Sequence, residues 1–158
     1  MGVCILLGSK SDLEKAQKAF EIFREFAVDF DVHIASAHRT PDRVKEIVEG
    51  SKHDVFLVFA GLSAALPGAV AALTTKPVIG VPLSGRVPFD SLLSMVQMPK
   101  GIPVAVVGVD NVVNGALICI QILAIKDEKL TGKIVKYREK MREKVHRDDE
   151  EVQRYVQG

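Results

Sequence analysis

Val3-Cys4-Ile5-Leu6-Leu7 is an unbroken apolar run closed by Gly8. A strand covered on one face alternates apolar and polar residues, whereas a continuous run belongs to a strand buried on both faces, the setting of parallel sheets clothed by helices. The opening residues therefore restrict the chain to a layered α/β architecture. Short apolar runs recur at 55–59, 78–81 and 104–107, and at 30–35 Val32 and Ile34 alternate with Asp31 and His33. Helical periodicities lie between them. Leu13, Ala16, Phe20, Phe23 and Ala27 repeat at helical spacing, as do Val44, Ile47 and Val48 ahead of Gly50. Pro67 suits the first position of a helix running toward Leu73, a short helix spans about 90–96, and 112–125 is apolar on most faces. Strands and helices alternate throughout, which predicts a three-layer α/β/α fold around a parallel sheet of about five strands.

With 158 residues and 47% hydrophobic content, the chain suits a single domain over 1–158, an α/β core in 1–126 followed by a C-terminal helix and tail in 127–158. Net charge is only +1 with both signs interspersed, which argues against a broad basic face for nucleic acid but leaves room for a small anion. Cys4 and Cys119 have no metal-ligand spacing and read as buried thiols of a reducing compartment. The first strand begins at once with no leader ahead of it, and the apolar run at 116–125 is too short to span a bilayer, so the expectation is a cytoplasmic protein with no membrane contact. The segment from Glu128 to about Val145 reads as a charged helix with a thin stripe of Leu130, Ile134, Val135, Met141 and Val145. Packing on a neighbouring subunit and simple solvation both fit that stripe.

In an open parallel sheet the loops at the carboxyl ends of the strands line the ligand crevice. Ser36-Ala37-His38-Arg39-Thr40-Pro41 falls at such a place, because Thr40-Pro41-Asp42 reads as N-cap, first helical position and first-turn acid. His38 can then act as acid or base near neutral pH and Arg39 can grip an anion, although capping of the turn by His38 is the competing use. Gly8-Ser9-Lys10-Ser11-Asp12 joins a buried strand to a helix, with Ser11 and Glu14 spaced as a capping box. Backbone N–H groups, hydroxyls and the helix dipole there suit a phosphate, with Asp12 turned toward a ribose hydroxyl; an ordinary strand-to-helix turn fits equally. The 60–66 loop has no ionisable residue, so it offers close backbone approach to a flat ligand or packing of the next helix. The connection at 82–88, with Ser84, Gly85 and Arg86, is long enough for a lid. No His, Cys, Asp or Glu set has metal spacing, and His33, His53 and His146 read as surface residues.

Four motifs occur together in one order: Gly8-Ser9-Lys10-Ser11-Asp12, Ser36 through Pro41, Ala60-Gly61 through Leu66-Pro67-Gly68, and Asp90-Ser91-Leu92 through Gln97-Met98-Pro99-Lys100-Gly101-Ile102-Pro103. Together they closely resemble the N5-carboxyaminoimidazole ribonucleotide mutase family, the catalytic-subunit type of phosphoribosylaminoimidazole carboxylase in purine biosynthesis. The resemblance covers nearly the whole chain. It implies a flavodoxin-like fold, a homo-octamer with sites at subunit junctions, and no metal, ATP or organic cofactor. The implied reaction moves a carboxylate from the exocyclic nitrogen of aminoimidazole ribonucleotide to ring carbon 4, by decarboxylation and recapture of carbon dioxide in a closed site. His38 matches the family's catalytic His, and Ser9, Asp12 and Arg39 match positions that hold the ribose phosphate. Ser11 lies in the same loop as a weaker match, and Ser36, Gly61 and Leu66, from the other two strand-end loops, complete the expected substrate-binding set. One position departs from the pattern: Ala65 stands where bacterial-type mutases carry a second His. Relatives that use carbon dioxide directly also have Ala there but tend to have Lys in place of Arg39. Direct carboxylation is thus the close alternative, and a non-catalytic phosphate- or nucleotide-binding module is the alternative of another class.

Overall fold

Alternation along the first strand decides how the layers assemble. The computed structural model describes residues 1–85, 87 and 89–157. Strand β1 (Gly2–Leu7) is buried at every position. Its successive side chains point to opposite faces, so Val3, Ile5 and Leu7 enter one core while Cys4 and Leu6 enter the other. β3 (Val55–Ala60) is equally buried and divides in the same way, Leu57 and Phe59 to one side and Phe56 and Val58 to the other. With β2 (Asp29–Ile34), β4 (Val78–Pro82) and β5 (Ala105–Val106) they form a parallel sheet in the order β2-β1-β3-β4-β5. Helices α1 (Leu13–Phe26) and α5 (Val112–Ala124) cover the first face, and α2 (Pro41–Gly50), α3 (Leu66–Ala72) and α4 (Asp90–Val96) lie on the second. This is the expected three-layer, flavodoxin-like architecture. The chain steps from β1 outward to β2 and then back past β1 to β3, which opens a crevice at the carboxyl ends of β1 and β3.

Packing of α5 on the sheet depends on Gly115, where an added Cβ would lie 2.7 Å from Val81 Cγ2 and 3.2 Å from Leu57 Cδ1. Both cysteines are free and buried, and burial pushes both thiols above their ordinary pKa, so they are packing groups and not nucleophiles.

Several expectations need correction. β2 forms where the alternation placed it, yet Val32 and Ile34 are exposed. α1 covers only the start of this edge strand, where Phe30 meets Phe20 and Phe23 with ring centroids 5.5 Å apart. β5 is shorter than 104–107, since its paired residues are only Ala105 and Val106, just beyond a proline that has no N–H to give a ladder. His53 is not a surface residue: its side chain is 12% exposed, and Nε2 lies 2.9 Å from Asp31 Oδ2. It packs over Gly2, where a Cβ would come within 2.4 Å of Nδ1. His33 is half-buried as well.

The terminal helix α6 (Glu128–Gln157) runs 30 residues, well past Val145. Nothing after Gly132 breaks it, and opposite charges four residues apart, such as Lys144 with Asp148 and Glu150 with Arg154, favour continuation. Only Leu130 in it is buried, with Tyr137 reaching Phe26 at a centroid distance of 5.5 Å. Its far half leaves Met141, Val145, Val152, Tyr155 and Val156 exposed. Of the 82–88 connection, Arg86 and Pro88 lie outside the described residues.

Candidate active site

Three loops leave the carboxyl ends of β1, β2 and β3 and meet around a cavity of about 430 Å³. The first is pinned to the sheet by Gly8, whose N–H donates to the Phe59 carbonyl at 3.3 Å. A 3-10 turn (Lys10–Asp12) then delays α1 until Leu13, so the expected Ser11–Glu14 box does not start the helix. Asp12 closes the loop instead: its Oδ2 accepts the Ser9 N–H at 2.9 Å. The hydroxyls of Ser9 and Ser11 are hydrogen-bonded to each other on the cavity wall. The N–H groups of Gly8 and Ser9 are therefore spent within the protein, and on the cavity wall the loop places two hydroxyls and the Asp12 carboxylate.

The second loop folds on itself. Thr40 N–H donates to the Ser36 carbonyl at 2.9 Å while the Thr40 hydroxyl oxygen accepts the Ser36 N–H at 2.9 Å. Thr40 thus closes the loop behind it and makes no side-chain cap ahead. His38 stands at the tip, exposed and facing the cavity. Arg39 is held at its root, Nε–H to Ser36 Oγ at 3.4 Å, and Nη2–H reaches across to the Gly8 carbonyl at 3.1 Å. That last bond locks the first two loops together and leaves the other guanidinium N–H groups to face an anion.

The third loop supplies a small, uncharged wall. Ala64 N–H donates to the Gly61 carbonyl at 2.8 Å, closing a tight turn in which Ser63 and Ala64 have φ of 58° and 29°. Neither is glycine, so each costs on the order of 1–3 kcal/mol that the surrounding structure must offset. Pro67 follows in the first turn of α3, whose start brings Leu66 to the cavity.

All the residues singled out from the sequence, Ser9, Ser11, Asp12, Ser36, His38, Arg39, Gly61 and Leu66, line this one cavity. Ala65 lines it too. The arrangement places an imidazole, a guanidinium and two hydroxyls around a space suited to a nucleotide-sized anion beside an apolar wall. A larger cavity of about 1000 Å³ lies at the opposite ends of the strands, lined mostly by apolar groups. The Lys76 ammonium there is committed to the Ser51 and His53 carbonyls at 2.9 and 2.6 Å, so that cavity lacks comparable chemistry. Among the described residues, no three His, Cys, Asp or Glu side chains converge as a metal site requires. No helix among them is long and apolar enough to cross a membrane.

Two features beside the cavity escape sequence reading. Lys15 Nζ bridges Ser84 Oγ at 2.7 Å and Asp110 Oδ1 at 2.8 Å, fastening the start of the 82–88 connection to α1. Partial burial pushes the Asp110 carboxyl up, but hydrogen bonds from Lys15 and Ser84 outweigh it and hold the group below the usual carboxylate range. The other is Asp90, whose Oδ2 accepts the Ser63 N–H at 2.9 Å. The partners lie 27 residues apart for Asp90 and 95 for Lys15 and Asp110, so local pattern carries no trace of either contact.

Residues 2–144 match a family model described as AIR carboxylase. The N5-carboxyaminoimidazole ribonucleotide mutase of Methanocaldococcus jannaschii is 56% identical over 151 residues, covering 95% of this chain and 96% of that one. The mutase of Pyrococcus abyssi is 46% identical over 145 residues, 89% of this chain and 83% of its own. Among solved structures, Treponema denticola PurE superposes with a TM-score of 0.85 at 29% identity, covering 94% of this chain and 96% of that chain.

Proposed function

The chain belongs to the AIR carboxylase family, and from that membership and the cavity's chemistry we propose that it is an N5-carboxyaminoimidazole ribonucleotide mutase of purine biosynthesis. It moves the carboxylate from the exocyclic nitrogen to ring carbon 4, giving 4-carboxy-5-aminoimidazole ribonucleotide. The observation that carries the residue roles is the convergence of three strand-end loops on one cavity, with His38, Arg39 and the Ser9 and Ser11 hydroxyls on its polar walls. Arg39 and the serines hold the phosphate, Asp12 and Ser36 fix the sugar end, and the 60–66 loop, with Gly61 and Leu66 on its face, encloses the reacting carboxylate.

The chemistry needs one proton carrier and a dry wall. As the carbon–nitrogen bond breaks, carbon dioxide leaves and the nitrogen takes a proton from the His38 imidazolium. Ring carbon 4 then attacks the carbon dioxide, and the proton it sheds returns to the imidazole. Donor and acceptor duties alternate on one group, so no net proton enters or leaves. Because carbon dioxide has no charge to hold it, retention depends on walls that exclude water and leave no exit. The Ala- and Leu-lined loop suits that task. Around this site we place a homo-octamer, supported by the apolar groups left exposed on Leu62 of the cavity wall, on Phe89, Leu93 and Val96 at α4 and along the far half of α6, and we place the protein in the cytoplasm with the other enzymes of this pathway.

Ala65 is what favours a direct carboxylase, since it sets a methyl group on the cavity wall in place of a second imidazole. Product formation from two separate starts distinguishes the readings. A mutase converts freshly made N5-carboxylated ribonucleotide rapidly and uses aminoimidazole ribonucleotide only at high carbon dioxide. Efficient use of the second start alone would make the protein a direct carboxylase.

A further inference from the structure

The contribution of the 60–66 loop is its shape, and that shape is held from outside the cavity. Ala60, Gly61, Leu62, Ala64, Ala65 and Leu66 all face the cavity, whereas Ser63 does not. Its N–H turns away and donates to Asp90 Oδ2 at 2.9 Å. Ser63 and Ala64 both occupy left-handed backbone conformations, with φ of 58° and 29°, which residues with side chains adopt only where their surroundings impose them.

The group at the other end of the bond is itself anchored. Asp90 opens α4, and the next residue, buried Ser91, donates its hydroxyl to the Leu83 carbonyl at 3.0 Å, tying the helix to the end of β4. Met95 is fully buried over Gly80, where a Cβ would stand 3.0 Å from its sulfur. Beyond the helix, Met98 lies against Gly68 of α3, 3.3 Å from where a Cβ would be. α4 is thereby fixed to the sheet and to the helix that follows the loop, and the Asp90 carboxylate is a fixed point against which the turn is set.

We propose that Asp90 is a positioning residue for the reaction, its carboxylate holding the Ser63 amide and so fixing the strained turn that forms the uncharged wall of the cavity. The inference rests on the mutase reading. Asp90 touches no substrate and acts through Ser63. The phosphate is gripped by the β1 and β2 loops, so releasing the wall leaves ribonucleotide binding in place while opening an exit for carbon dioxide. Each escape leaves aminoimidazole ribonucleotide, its nitrogen protonated by His38 and its ring carbon uncarboxylated, and the imidazole then recovers its proton from water.

Asp90→Ala and Asp90→Asn, compared with wild type on N5-carboxylated ribonucleotide after subtraction of its uncatalysed decay, test this. Asp90→Ala is expected to lower kcat roughly 10- to 150-fold, the range set by loss of one charge-assisted hydrogen bond, with KM changed by less than about twofold. It should also divert turnover from product to aminoimidazole ribonucleotide and speed amide exchange at Ser63 by a similar factor. Asp90→Asn keeps an oxygen acceptor at the same place and should restore most of each. Wild-type kcat and partition in Asp90→Ala, an Asn variant as impaired as the Ala variant, or unchanged exchange at Ser63 would overturn the proposal. Exchange at Ser63 reads the tether without turnover. Inactive wild-type protein whose Ser63 exchange still responds would overturn the mutase reading, and with it the catalytic consequence, while leaving the tether established.

Discussion

Replacement of Arg39 by alanine separates phosphate recognition from loop architecture. The guanidinium spends Nε–H on Ser36 Oγ at 3.4 Å and one Nη2–H on the Gly8 carbonyl at 3.1 Å, so its remaining N–H groups are the ones a phosphate can use. A hydrogen bond to a charged partner contributes about 1.5–3 kcal/mol, and Arg39 is exposed, so one such bond is the reasonable measure of the loss. That corresponds to roughly 10- to 150-fold in Kd. The two intramolecular bonds are solvent-facing and the one to Ser36 is long, so the same variant should shift unfolding by no more than about 1 kcal/mol. Calorimetric titration with aminoimidazole ribonucleotide and with its nucleoside, which lacks the phosphate, makes the comparison. The ribonucleotide should lose the full factor and the nucleoside almost none, while Arg39→Lys, which keeps charge but not the fork, should recover only part. Equal losses for both ligands would mean that Arg39 acts by bracing Gly8 and that the phosphate binds elsewhere.

Gly115→Ala should destabilise the protein by about 1–2 kcal/mol in urea unfolding, because overpacking against Val81 at 2.7 Å outweighs the helix propensity gained; a stability gain would show that α5 can lift from the sheet at little cost. The Asp110 carboxyl, held below its ordinary pKa in the folded state, stabilises the fold at pH values above the unfolded carboxylate pKa near 4 and loses that contribution as pH falls through the depressed folded value. Its side chain is 39% exposed, so the amount is below about 1 kcal/mol, and Asp110→Asn should flatten that part of the stability profile on the acid side of about pH 5; an unaltered profile would mean the Lys15 contact forms equally in the unfolded chain. Deletion of residues 146–157 removes only exposed side chains of the described part of α6, so the unfolding of the α/β core should stay within about 0.5 kcal/mol while light scattering reports a particle smaller than the octamer proposed for the intact chain. An intact octamer would remove the far half of α6 from the interface.

How much of this was legible in the sequence follows from what each feature depends on. β1 and β3 were readable because burial on both faces is written as continuous apolar runs, and the strand-to-helix loops were readable because Gly8, Pro41 and Pro67 punctuate the chain. Placing Ser9, His38, Arg39 and Gly61 together needed only the rule that strand-end loops converge at the crevice of an open parallel sheet. Other features depend on partners far along the chain. Val32 and Ile34 look like core residues until the short reach of α1 leaves them exposed on an edge strand. His53 looks like a loop residue until Gly2 and Asp31 close over it. The Ser9–Asp12 closure displaced the Ser11–Glu14 box because a 3-10 turn shifted the helix start by a residue or two, below the resolution of any spacing rule. Asp90 shows no local signal, since its partner is a backbone amide 27 residues away.

The central claim is that His38 carries the proton in a carboxylate transfer that begins and ends on one bound ribonucleotide. Its most direct test is His38→Asn, assayed for conversion of N5-carboxylated ribonucleotide and, in parallel, for binding of aminoimidazole ribonucleotide. His38 makes up the tip of its loop, and the loop is closed by Ser36 and Thr40, so the substitution should leave the cavity and its affinity largely intact while turnover falls by at least about 100-fold, the lower end of general acid–base contributions. Turnover at the wild-type rate with unchanged binding would contradict the claim and move the proton transfer to another group.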